Sequence, residues 1–122
     1  MLNIADVIKW DKEAGLARFA EMAIIKVSIV PLGTGATSVS QYIARAVEVL
    51  EGEKDIKYEL TAMGTIIEGD LDHLLALARK MHEAVFDVGI MRAVTIIEID
   101  DRRDNPPTIT GKVESVKKKI GH

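Results

Sequence analysis

The chain has 122 residues, enough for one domain with a hydrophobic core. Apolar residues make up 48% and charged residues 29%, which excludes a disordered chain, and a formal net charge of −3 leaves no global basic field to recruit nucleic acid. The sequence has no cysteine, so disulfides, thiolate nucleophiles and cysteine-ligated zinc are excluded.

Residues 1–21 differ in pattern from the rest of the chain. Ile4, Val7, Ile8, Leu16 and Phe19 allow an amphipathic helix, weakened at Gly15, so an N-terminal helical extension is expected. Trp10 and Phe19 are available there to pack on a neighbouring subunit. Met22 stands directly before the first strand, where a natural start would fall, and a single domain is expected over residues 22–122.

The β-branched run 23–30 reads as a buried strand. It enters the turn Pro31-Leu-Gly-Thr34-Gly-Ala-Thr37-Ser38-Val-Ser40, which is rich in hydroxyls and opens a helix. Val39, Ile43, Ala46, Val47 and Leu50 lie on one face of that helix, with Thr37 or Ser38 as the cap and Gly52 as the stop. Residues 56–61 and 65–68 read as two short strands around Met63-Gly64, a hairpin signal. Leu71, Leu74, Leu75, Ala78, Met81, His82 and Val85 form a second helical stripe, capped by Asp70 and stopped near Gly89. A long Val/Ile-rich strand is expected over 91–99, a charged turn over 100–107 and a short basic helix over 112–120.

The order is βαββαβ, the pattern of an α+β, ferredoxin-like sandwich with an antiparallel sheet. Its helices cover one face of the sheet and leave the other open. Ile24, Val30, Ile67, Ile97 and Ile99 cannot all point at the helices, so apolar side chains are expected on the open face. A monomer would expose them as a large patch, so packing on another subunit, through sheet faces and edges of a homo-oligomer, is the expectation.

Four segments together resemble the YkoF-like thiamine-binding proteins, a family long of unknown function. They are Met22-Ala-Ile-Ile-Lys-Val-Ser-Ile-Val-Pro31-Leu-Gly-Thr34, Ser38-Val-Ser40-Gln-Tyr42, Tyr58-Glu-Leu-Thr61-Ala-Met63-Gly64-Thr65-Ile-Ile-Glu68 and Asp100-Asp-Arg-Arg-Asp104. The resemblance spans about residues 22–119 and is carried by the combination, since each piece alone is weak. It implies a ferredoxin-like fold, assembly as dimers or tetramers through the sheets, and binding of thiamine or its hydroxymethylpyrimidine part. The first 21 residues depart from the family's usual length.

Thiamine offers an aminopyrimidine, a cationic thiazolium and a hydroxyethyl tail. Its amine needs an acceptor, its ring nitrogens need donors, and its cation favours a carboxylate or an aromatic face. On the resemblance, the candidate ligand-binding residues are Thr34, Ser38, Ser40, Tyr58, Met63, Thr65 and Glu68. Glu68 would accept from the amine or balance the cation. The hydroxyls would donate to the ring or tail, and Tyr58 or Met63 would pack against a ring. A phosphorylated ligand would suit the helix N-terminus after Gly35, although the loop lacks the spacing and lysine of a P-loop.

Each residue also has a plainer role: Ser38 as a cap, Gly64 and Thr65 as hairpin residues, Tyr58 as core, Glu68 as a lysine's partner. The 100–104 run reads first as a self-paired turn, and Lys117–Lys119 as a solvated helix face. His73 and His82, nine apart, stand about half a turn from each other on a helix and cannot share a metal. No cofactor and no metal are expected, and no Ser–His–acid set or carboxylate pair supplies catalysis.

The reading is therefore a non-catalytic binder of thiamine or a related hydroxymethylpyrimidine. No apolar run approaches the ~20 residues that span a bilayer, and the first residues lack the pattern of a secretory signal, so a cytoplasmic protein without membrane or nucleic-acid partners is expected. The alternatives are a small enzyme acting on an anionic metabolite with Glu68 as base, and a purely structural or regulatory homo-oligomer.

Overall fold

The computed structural model describes residues 8–11, 16–19 and 22–121. Its first elements correct the expected N-terminal helix. β1 (Ile8–Asp11) and β2 (Leu16–Phe19) pair antiparallel, with Trp10 opposite Ala17. The sequence reason is the alternation Ile8-Lys9-Trp10-Asp11, apolar then charged with period two, which suits a strand better than a helix.

β3 (Met22–Leu32) is the longest strand and organises the domain. Successive side chains point to opposite faces: Ile25, Val27 and Ile29 are buried toward the helices, while Ile24, Lys26, Ser28 and Val30 lie on the other face. β4 (Lys57–Thr61), β5 (Gly64–Asp70) and β6 (Arg92–Asp100) complete one sheet in the order β4-β5-β3-β6, with every pairing antiparallel. β4 and β6 are the edges. With α1 (Ser40–Glu48) after β3 and α2 (Leu71–Ala84) after β5, this is the ferredoxin-like arrangement.

The core lies between the helices and the inner face of the sheet. Ile25, Val27, Ile29 and Ile67 pack beneath Ala46 and Leu50 from the α1 segment and Leu74, Leu77, Ala78, Met81 and Val85 from the α2 segment. Full burial of each large side chain is worth about 1.5–3 kcal/mol. The α2 stripe is rotated from expectation: Leu77 is buried and Leu75 is exposed. Leucines at 71, 74, 75 and 77 permit either phase, and contact with β3 and β5 decides it.

Asp70 caps α2 as expected, its carboxylate accepting from His73 N–H at 3.2 Å. Asp70→Ala should therefore cost about 1 kcal/mol, read as a lower urea midpoint with an unchanged m-value. α1 differs. It opens with Val39 at its cap position and no side-chain cap, so neither Thr37 nor Ser38 fills that role. The preceding loop is held locally instead. The Thr34 hydroxyl donates to Ala36 O and accepts from Ala36 N–H, between Gly33 and Gly35, both at positive φ.

A short 3-10 turn, Phe86–Val88, ends α2, and Gly89 at φ 92° starts the return to β6. Ile97 and Ile99 face the helices opposite Val27 and Ile25, yet stay half-exposed because β6 is an edge strand. Across the other face, Val30, Val94 and Ile96 are 46%, 43% and 53% exposed, so the sheet carries an open apolar patch as expected. The chain ends in α3 (Ile109–Lys119), capped by Thr108, whose hydroxyl accepts from Gly111 N–H.

Candidate functional site

A cavity of about 260 Å³ opens between α1, the β4–β5 hairpin and the second half of β3. Ile43, Ala46 and Val47 line it from α1, Met81 from α2, residues 27–30 from β3 and residues 60–65 from the hairpin. None of these lining residues is charged or aromatic.

The hairpin is pinned in place by two hydroxyls. Thr61 Oγ1 donates to Gly64 O at 2.7 Å and accepts from Met63 N–H at 3.2 Å. From β3 beneath, Ser28 Oγ donates to Met63 O at 2.9 Å. Gly64 allows this approach: a Cβ there would stand 2.8 Å from Ser28 Oγ and 3.0 Å from Val27 O. With its backbone so held, the Met63 side chain is left 77% exposed at the rim.

Of the expected ligand residues, Thr65 and Met63 line the cavity. Thr65 is almost fully buried, and its hydroxyl makes no hydrogen bond among the described residues. Ser40 lies on the α1 face that carries Ile43 and Val47, and its hydroxyl is 3.4 Å from that of Ser38. This pair sits at the N-terminal end of α1, next to the cavity wall but not in its lining. Thr34 is engaged within its own loop.

Tyr58 stands opposite Ile67 on the edge strand, half-exposed and outside the lining, whereas its neighbour Leu60 is part of it. Glu68 lies at the far end of β5 and on the opposite face, since it pairs with Ile24. Its carboxylate accepts from Ile109 N–H at 2.7 Å and stands 3.9 Å from Lys57 Nζ. The structure thus brings Met63 and Thr65 together in the lining, leaves Ser38 and Ser40 outside it at the start of α1, and sets Glu68 and Tyr58 apart.

Ser28 and the apolar wall from α1 were not among the expected ligand residues. A serine inside a β-branched strand was the one available signal, because cavity-lining Val, Ile and Ala look like core residues in a sequence.

Two further chemistry-bearing clusters are engaged elsewhere. His82 Nδ1 is 2.6 Å from Thr95 Oγ1, and its ring meets Phe86 edge-on. In the 100–104 turn, Arg102 pairs with Asp104 and Arg103 with Asp101, as the self-paired reading expected. The hydrogen bond between Arg102 and Asp104 raises the guanidinium and lowers the carboxyl from their ordinary pKa values, on a fully solvated surface. Among the described residues no cluster of His, Asp or Glu could hold a metal, and no helix is long and apolar enough to cross a membrane.

Known proteins place this geometry in a family. A family model described as thiamine-binding protein matches residues 25–117. The UPF0045 protein YqgV of Bacillus subtilis is 49% identical over 102 residues, covering 81% of this chain and 98% of its own length. A UPF0045 protein of Methanothermobacter thermautotrophicus is 45% identical over 100 residues, covering 81% of this chain and 100% of its own. Among solved structures, a hypothetical protein of Methanocaldococcus jannaschii superposes with a TM-score of 0.72 at 40% identity, over 79% of this chain and 96% of the other. By the family model and these relatives, the chain belongs to the thiamine-binding protein family.

Proposed function

We propose that this protein binds thiamine or a related hydroxymethylpyrimidine, without transforming it, in the cavity beneath the β4–β5 hairpin, and acts as a cytoplasmic homo-oligomer joined through its sheet. The observation that carries the proposal is the cavity itself: about 260 Å³, mostly apolar, uncharged, and bordered by the hydroxyl of Thr65, which makes no hydrogen bond among the described residues. Ligand pockets have this character, mostly apolar with a few placed polar groups. A neutral aminopyrimidine suits such walls, with Thr65 donating to or accepting from its edge and Met63 closing over its face.

A cationic thiazolium would be costly there, because none of the lining residues offers it a counter-charge. Thiamine would therefore enter pyrimidine first, with its thiazolium toward the rim. Ser38 and Ser40 would then reach the tail from the end of α1. Membership of the thiamine-binding protein family supports the ligand class. Glu68 has no place in this reading, because it lies on the opposite face of the sheet and accepts from the first turn of α3.

Thermal unfolding with hydroxymethylpyrimidine, thiamine and thiamine phosphates tests the proposal. Ligand at ~100 times its Kd stabilises by about 2.7 kcal/mol, a shift of several degrees. Thr65→Val keeps the shape and removes the hydroxyl, so affinity should fall about three- to tenfold, while Glu68→Gln keeps the full ligand-induced shift. No shift with any of the compounds would overturn the reading.

A further inference from the structure

β3 runs on past the end of β5. Its pairing with β6 continues to Leu32, opposite Arg92, whereas its pairing with β5 stops at Val27, opposite Thr65. Beyond Val27, no strand among the described residues pairs with that edge of β3. The N–H and C=O of a strand residue in an antiparallel pair share one edge, and successive residues alternate between edges. Pro31 fixes the phase. It lies within the ladder to β6, opposite Ala93, and has no N–H to give, so its edge must face away from β6. Val27, Ile29 and Pro31 therefore face the β5 side, while Ser28 and Val30 face β6. Gly64 agrees: a Cβ there would stand 3.0 Å from Val27 O, which puts that carbonyl on the β5 side. Ile29 is 7% exposed and lines the cavity, yet no main-chain hydrogen bond joins it to the hairpin turn among the described residues. The turn is held from the outer face of the sheet instead, by Ser28 Oγ to Met63 O. A buried residue thus carries a main-chain donor and acceptor side by side at the cavity, and buried groups of this kind are almost always paired.

We infer that the main chain of Ile29 selects the ligand: its C=O accepts from the exocyclic amine of an aminopyrimidine, and its N–H donates to the adjacent ring nitrogen. For one residue, the ring takes the place of the strand that β5 does not supply. The inference rests on the proposed function and names what sets the ligand class at that site. The other groups of the cavity cannot set it. The Thr65 hydroxyl donates or accepts with equal ease, the Ser28 and Thr61 hydroxyls are spent on the hairpin, and the walls are otherwise apolar. A strand edge has a fixed polarity. An oxopyrimidine, with a proton on the ring nitrogen and a carbonyl beside it, sets donor against donor and acceptor against acceptor. Ile29 therefore admits aminopyrimidines and rejects oxopyrimidines of the same size and shape.

Amide hydrogen exchange, followed by NMR on the purified full chain, tests this without any substitution. In the unliganded protein the Ile29 amide should exchange at least about 100-fold faster than those of Ser28 and Val30 on either side, which the ladder to β6 holds. Saturating hydroxymethylpyrimidine in its amino form should slow Ile29 to the rate of its neighbours. The oxo counterpart of that compound should bind at least about 100-fold more weakly, because it leaves both main-chain groups unpaired. An Ile29 amide that is already as slow as its neighbours in the unliganded chain overturns the open edge. Binding of the amino compound with Ile29 exchange unchanged, or equal binding of the oxo compound, overturns the role of Ile29 and leaves the binding function standing. If neither compound binds, the proposed function falls and the inference with it.

Discussion

Gly64→Ala is expected to destabilise the protein by about 2–4 kcal/mol, the sum of strain at positive φ and overpacking, and to lower Tm by about 10 °C. Gly64 sits at φ 151°, where L side chains are strained, and its missing Cβ is what lets the hairpin lie against β3. An added methyl would meet Ser28 Oγ at 2.8 Å and the main-chain oxygen of Val27 at 3.0 Å. The serine can rotate away only by giving up its bond to Met63 O, and the main-chain oxygen cannot move without distorting the central strand. Gly33→Ala is the matched control. It also sits at positive φ, at 76°, but a Cβ there would touch nothing within 4 Å, so it should cost only the backbone strain of about 1 kcal/mol. Equal losses in the two variants would show that the close approach at Gly64 carries no energy. The same substitution should weaken ligand binding, because the hairpin that Gly64 seats forms one wall of the cavity.

The features legible in the sequence were those written in neighbouring residues. A β-branched run marked β3, Met63-Gly64 marked the hairpin, and Asp70 marked the start of α2, each depending on residues within a few positions. The start of α1 was less legible. Thr37 and Ser38 both had the chemistry of a cap, yet the helix begins beyond them. The phase of α2 was undetermined for a similar reason, since leucines on adjacent faces let tertiary contact choose between them. Residues 8–19 misled because apolar residues spaced for a helix also alternate over a four-residue strand. In the candidate site, Thr65 and Met63 were visible as polar and flexible residues at a turn. Glu68 was visible as a type but not as a position. Its partner Ile109 lies 41 residues away, and no local pattern shows that one end of β5 holds the last helix while the other borders the cavity. The apolar wall was hidden altogether, because a sequence does not distinguish a valine beside a void from one in the core.

Ala46→Leu is expected to abolish ligand binding while leaving the protein folded. Ala46 is 1% exposed on the α1 face turned toward the sheet, and it borders both the core and the cavity. A leucine side chain has room only on the cavity side, where it would occupy the space assigned to the pyrimidine. Overpacking in a filled core costs about 1–3 kcal/mol, but a side chain that enters an existing void gains contacts and offsets part of that cost. The unliganded Tm should therefore move little, while affinity falls at least about 100-fold, equivalent to ~2.7 kcal/mol. Val47→Phe, one position on and less buried, blocks the same space from a residue outside the core cluster and guards against a folding defect in the first variant. If both variants fold and still bind with wild-type affinity, the ligand lies elsewhere, and the Ser38–Ser40 end of α1 becomes the next place to probe. If both fold and lose binding while Glu68→Gln retains it, the ligand belongs beneath the hairpin, and the carboxylate of the family motif serves to hold α3.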